Sequence, residues 1–183
     1  YRELRNFEGE INPEVRAQYG ALSLIGKIVY FASITISSVM ISKLANQKDE
    51  LRRKTLFISL AITIATGLSI SLIYFIFSEY IVNIVFSGMY TEIIPYIGLY
   101  GIAMTMFSIS YMVINSLLIK DSYIHIYFLG LLLLVQLLLY KFNNSTLQDA
   151  FVNQLVIYGV LSIFIFFVLI FYFFKKNGNK KEN

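Results

Sequence analysis

Residues 56–78 read LFISLAITIATGLSISLIYFIFS, a run of 23 without a charge. As an α-helix at 1.5 Å per residue it is about 34 Å long, enough to cross the roughly 30 Å hydrocarbon core of a bilayer. Four more runs of this kind occupy 21–42, 93–119, 123–140 and 151–174. Only Lys27 interrupts the run at 21–42, the run at 93–119 has no charge, the one at 123–140 is the shortest and begins beside His125, and the one at 151–174 is rich in Phe, Ile and Leu. Barrel strands would instead alternate over segments of about ten residues. With 57% hydrophobic and 14% charged residues, the chain has too little charge to cover a soluble domain of 183 residues. The sequence therefore predicts an all-α integral membrane bundle of about five transmembrane helices. It is divided into an extracytoplasmic segment 1–20, a transmembrane bundle 21–174 and a basic tail 175–183.

The positions of Lys and Arg orient that bundle. The loop 43–55 carries Lys43, Lys48, Arg52, Arg53 and Lys54, the tail carries Lys175, Lys176, Lys180 and Lys181, and Lys120 follows the third run. With five crossings these segments share one side and hold ten basic residues, against four on the other side (Arg2, Arg5, Arg16 and Lys141). The start is then extracytoplasmic and the C-terminus cytoplasmic. This asymmetry accounts for the basic pI through topology and contact with anionic lipid, so no nucleic-acid partner is expected. Residues 47–54 fit a helical extension, with Asp49–Arg53 and Glu50–Lys54 spaced i, i+4. The outer loop 79–92, EYIVNIVFSGMYTE, is half apolar and predicts a short interfacial or re-entrant helix, with Ser87-Gly88 as a turn and Tyr80 and Tyr90 as headgroup-level anchors. Asn143 and Asn144 each begin an N-x-[ST] triplet, a motif too common to carry weight.

Lys27 is the most informative residue, because a charge inside a spanning helix is costly and marks a functional site by default. Ser23, Lys27, Tyr30, Ser33 and Ser37 follow at helical spacing and form one polar stripe down the first run, with Leu22, Val29 and Ile36 opposite. Such a stripe predicts a wet cavity or a helix interface. The bland alternative is a snorkelling lysine beside serines that merely pack. On the third run Gly98, Gly101, Thr105, Ser108, Met112 and Asn115 make a second stripe, read mainly as close packing, with Asn115 the member of functional interest. Ser59, Thr63, Thr66 and Gly67 read as packing too, and Gln136 as a hydrogen-bonding group across helices.

Enzyme signatures are missing. Gly20–Lys27 reads GALSLIGK, but its spacing is one residue longer than a phosphate loop and Ile28 stands where Ser or Thr is required. With no Cys and one His, the sequence offers no disulfide framework, thiol nucleophile or ordinary zinc site, and no cofactor is expected. No carboxylate lies within the five runs.

The stretch NPEVRAQYGALSLIGK, residues 12–27, resembles the lead-in to the eighth helix of polysaccharide-exporting flippases. These belong to the multidrug/oligosaccharidyl-lipid/polysaccharide exporter superfamily. Their pattern, of the type SPEEAGxYxALSLxGK followed by IxxFxSxxISxVxxPK, is met by Ile28, Phe31, Ser33, Ile36, Ser37, Val39 and Lys43. Phe86-Ser87-Gly88-Met89-Tyr90 is similar to the family's lFGxxY turn. Ser42 replaces the usual Pro. The resemblance covers 12–119, while the last two runs match in hydropathy alone.

It implies a two-lobed transporter of about twelve helices that carries a polyprenyl-diphosphate-linked oligosaccharide across the cytoplasmic membrane by alternating access. This chain would supply the helices from about the eighth onward and would need its own N-terminal lobe as partner. Lys27 would meet the diphosphate, and Ser23, Tyr30, Ser33, Ser37 and Asn115 would line the same substrate-binding cavity. An ion-coupled multidrug exporter of the same superfamily is the alternative, disfavoured by the missing carboxylates. A membrane-embedded transferase or ligase comes third, with only His125 and Arg16 to offer.

Overall fold

The computed structural model describes residues 13–118, 124–142 and 146–178, and every regular element among them is helical. The order is α1 (Pro13–Ala45), α2 (Asp49–Phe86), a 3-10 turn (Thr91–Ile93), α3 (Ile94–Leu118), α4 (Ile124–Phe142) and α5 (Leu147–Gly178). Pro13–Ala45, Leu51–Phe86, Thr91–Leu117 and Leu147–Ile170 are long and apolar enough to cross a membrane. α4 is shorter, 19 residues or about 28 Å. Outward-facing Leu24, Phe31, Phe57, Ile76, Leu134 and Phe167 are each at least half exposed, a coat that suits acyl chains rather than water. The chain is an all-α, multi-pass membrane bundle, as its hydropathy predicts.

The helices overrun their apolar runs, because charge ends a membrane span but does not end a helix. α1 starts at Pro13, whose fixed φ suits the first helical position, with Glu14 in the first turn and Lys43 in the last, both favourable to the helix dipole. Residues 13–20, expected as part of an external segment, are thus the first two turns of α1, and residues 1–12 lie outside the described residues. The helical extension expected at 47–54 is present from Asp49 onward, where α2 begins, while Gln47 and Lys48 belong to the short turn before it, which is tied by Arg52 Nε donating to the Leu44 carbonyl (3.1 Å) and Thr55 Oγ1 donating to Gln47 Oε1 (2.7 Å). At the start of α5, Thr146 and Asp149 cap each other reciprocally, the backbone N–H of each bonding the other's side chain at 3.0 Å.

The short helix expected in the loop 79–92 is present as a segment set off from the span by a break in helical geometry, and it forms the kinked end of α2. α2 runs on through Glu79 to Phe86, kinked at Phe77 (φ −114°, ψ 22°). No Gly or Pro stands between Ser78 and Phe86 to stop it, and it ends where Ser87 (φ 52°) and Gly88 (φ 77°) turn left-handed. Lys120, Asn143, Asn144, Lys180 and Lys181 lie outside the described residues.

α3 is the central helix, packed against α1, α2 and α5, while α4 rests mainly on α5. Close approach is made possible by glycine. Gly26 lies against the ring of Tyr100, Gly67 against Thr105, Gly98 against Phe75 and Gly101 against Ser71, each with no room for a methyl group. The packing reading of the small residues on α2 and α3 is therefore correct. One apolar cluster, around Leu22, Ile25, Tyr74, Ile97 and Phe151, fills the end of the bundle where α1 starts, and a second, around Met40, Leu60, Met112 and Leu161, fills the other.

Candidate functional site

Between the two apolar clusters lies a belt of buried hydroxyls: Ser33 and Ser37 on α1, Thr63 and Ser71 on α2, and Thr105, Ser108 and Ser110 on α3. A hydroxyl at this depth must find a partner inside the protein. Most return to the carbonyl one turn back: Ser33 to Val29 (2.9 Å), Ser71 to Gly67 (2.8 Å), Thr105 to Gly101 (2.9 Å) and Ser108 to Met104 (2.8 Å). Ser110 joins Ser162 on α5 at 3.1 Å, and Thr63 faces the sulfur of Met112 at 3.8 Å. Ser37 Oγ is buried with no hydrogen-bond partner among the described residues.

The predicted stripe on α1 does not act as one face. Ser33 and Ser37 point into the bundle, Ser23 and Tyr30 are half-buried at its rim, and Lys27 is exposed, with no hydrogen bond or ion pair among the described residues. The side read as its opposite is also packed, since Leu22 and Val29 are fully buried. Five residues at spacings of three and four drift around a helix of 100° per residue, so a stripe straight in sequence spans a wide arc. The rim carries an aromatic row. Tyr30 packs against Phe107 and Tyr111 of α3 (ring centroids 5.6 and 5.9 Å), and Phe107 packs against Tyr158 of α5 (4.8 Å). Asn115 is half-buried and donates to the Tyr111 carbonyl at 3.0 Å. It continues the Phe107–Tyr111 face by one turn, which sets Tyr30 and Asn115 beside one aromatic row, with Lys27 one turn before Tyr30.

A second polar cluster joins three helices. Gln154 of α5 is buried, and its Oε1 accepts from Tyr140 (2.8 Å) and Gln136 (3.3 Å) of α4 and from Tyr19 of α1 (3.1 Å). The Tyr19 and Tyr140 hydroxyls are themselves 2.8 Å apart. Gln136 was legible as a cross-helix donor. Gln154 is the member that hydropathy hides, although two amides, Asn153 and Gln154, early in a run of Phe, Ile and Leu, are its signal. At the end of the bundle where α1 starts, Gln18 Nε2 donates to Glu92 at 2.6 Å, and an open cleft of about 640 Å³ lies between the starts of α1, α3 and α5. Among the described residues no group of three His, Cys, Asp or Glu side chains converges as metal ligands.

Searches for known relatives add nothing to this geometry: no protein-family model, curated protein or solved structure matches the chain.

Proposed function

We propose that this chain is the later part of a flippase that moves a polyprenyl-diphosphate-linked oligosaccharide across the cytoplasmic membrane for surface polysaccharide synthesis. The supporting observation is Lys27. It is an exposed cation without a partner among the described residues, about 21 Å along α1 from Pro13. An intramembrane charge is normally met by a pathway or a partner. A diphosphate carried through a cavity on that side supplies the counter-charge. The adjoining faces of Tyr30 and Tyr111 offer an amphipathic wall for the rest of the cargo. The lead-in at 12–27 points the same way. The exposed side of α1 is where an N-terminal lobe would stand to close the cavity.

Cells from which the gene is deleted are expected to lose surface glycan and to accumulate the lipid-linked oligosaccharide on the cytoplasmic face. Unchanged surface glycan with no such accumulation would refute the reading. The sidedness is separately testable. Cysteine at Met89 or Gln148 is expected to react with an impermeant thiol reagent in intact cells, and cysteine at Lys48 only after permeabilisation. The reverse pattern would place the C-terminus outside.

A further inference from the structure

At the end of the bundle where α1 meets α2, a groove of about 500 Å³ opens between the two helices. Its floor is mostly apolar, formed by Ile36 and the buried Met40 with Ser59 and Thr35 among them, the Thr35 hydroxyl turned back to the Phe31 carbonyl (3.1 Å), and Val39, Ile58 and Ile62 stand along its sides with about half of their surface outward. Its mouth is polar, holding Lys43, Gln47 and Thr55. Among the described residues no carboxylate lines it. Thr55 donates its hydroxyl to Gln47 Oε1, which turns the amide so that Nε2 is left as a donor. The Lys43 side chain is exposed and has no hydrogen bond or ion pair among the described residues. The backbone beneath is fixed by the Arg52–Leu44 hydrogen bond. From Thr35 to Lys43 the groove follows α1 for about 12 Å, most of the roughly 15 Å that one leaflet's hydrocarbon occupies.

We infer that this groove is a binding site for one anionic phospholipid. The phosphate is held by the Lys43 ammonium and Gln47 Nε2, and one acyl chain lies along Val39, Ile58 and Ile62. The division of the groove argues for this occupant. A cation and an amide donor sit at headgroup level directly above an apolar trough open to the side, and Lys48, Arg52, Arg53 and Lys54 add positive potential at the same level. A packing helix from another protein would need no cation at one end of the trough, and a free anion would need no trough.

The test is native mass spectrometry of the full chain, purified and reloaded with phosphatidylglycerol or phosphatidylcholine. Wild-type protein is expected to retain phosphatidylglycerol in preference to phosphatidylcholine. Lys43→Ala is expected to lower phosphatidylglycerol retention about tenfold, the loss of a charge-assisted hydrogen bond, and Lys43→Arg to restore most of it. Val39→Trp, which fills the trough and keeps the lysine, is expected to lose the lipid as well. Lys141→Ala, an exposed lysine at the far end of the bundle, is expected to change nothing. Equal retention of both lipids, or an unchanged Lys43→Ala, would overturn the inference. So would displacement of the lipid by glycerol phosphate at the lipid's own concentration, which would reduce the site to an anion contact. A wild-type protein that holds no lipid because another segment or a second copy fills the groove would overturn it too.

Discussion

Lys27→Ala is expected to abolish or strongly reduce glycan export, whereas Lys27→Arg retains part of it. The side chain sits about 9 Å beyond Ala21, where the apolar run begins, on the exposed flank of α1. Among the described residues the packing of the helix does not depend on it, since its buried side is carried by Leu22, Ile25, Gly26 and Val29. Alanine there leaves the fold intact and removes one charge. In a cavity of low dielectric that charge is worth far more to a diphosphate than it would be in water. Arginine keeps the charge but offers a planar fork in place of a compact ammonium, so it supports transport with altered geometry. Surface glycan measures the effect, with membrane abundance checked by immunoblot. Ser42→Ala, on the same helix and exposed, is the mild control. Wild-type export by Lys27→Ala at equal abundance would leave the lysine a snorkelling residue and remove the counter-charge argument for a flippase.

The second large effect concerns stability. Gly67→Ala is expected to destabilise the bundle by about 1–3 kcal/mol, the usual cost of forcing a methyl group into a filled core. The added carbon meets Oγ1, Cγ2 and Cβ of Thr105. Thr105 cannot swing away easily. It is buried, β-branched and tied to the Gly101 carbonyl at 2.9 Å. α2 and α3 must therefore move apart. Gly130→Ala and Gly159→Ala are the reference substitutions, since a Cβ at either meets nothing within 4 Å among the described residues. Both are expected to be neutral or slightly stabilising, because alanine favours the helix. Thermal unfolding in detergent measures all three. Thr105→Ala is expected to rescue Gly67→Ala in a double-mutant cycle, and equal midpoints for Gly67→Ala and Gly130→Ala would show that the two helices have slack.

These two residues show what a sequence discloses and what it conceals. The apolar runs betray the helices, because a bilayer tolerates few alternatives to them. The runs do not betray helix ends, which depend on turn chemistry: α2 ignores Glu79 and stops at Ser87-Gly88. Gly67 was readable as a packing residue from its small neighbours Thr63 and Thr66. The α1 stripe was readable as polar but not as divided. Which part of its arc is covered depends on where α2, α3 and α5 stand, and that is decided by distant partners such as Tyr74, whose hydroxyl donates to the Ile25 carbonyl at 2.8 Å. Gln154 went unread because its meaning lies in Tyr19, 135 positions away.

α4 carries a different lesson. Leu131, Leu133, Leu134, Leu137 and Leu138 all face outward with more than half of their surface uncovered, and the helix leans mainly on α5. Against acyl chains one aliphatic side chain serves as well as another, so these positions are interchangeable among Leu, Ile, Val and Phe. Gln136 and Tyr140 are not, because each is anchored to Gln154. Over evolutionary time such a helix is free to drift in spelling while its phase stays pinned by two letters. A comparison of related chains that scores identity would discard this stretch first, although its polar pair fixes how the helix docks.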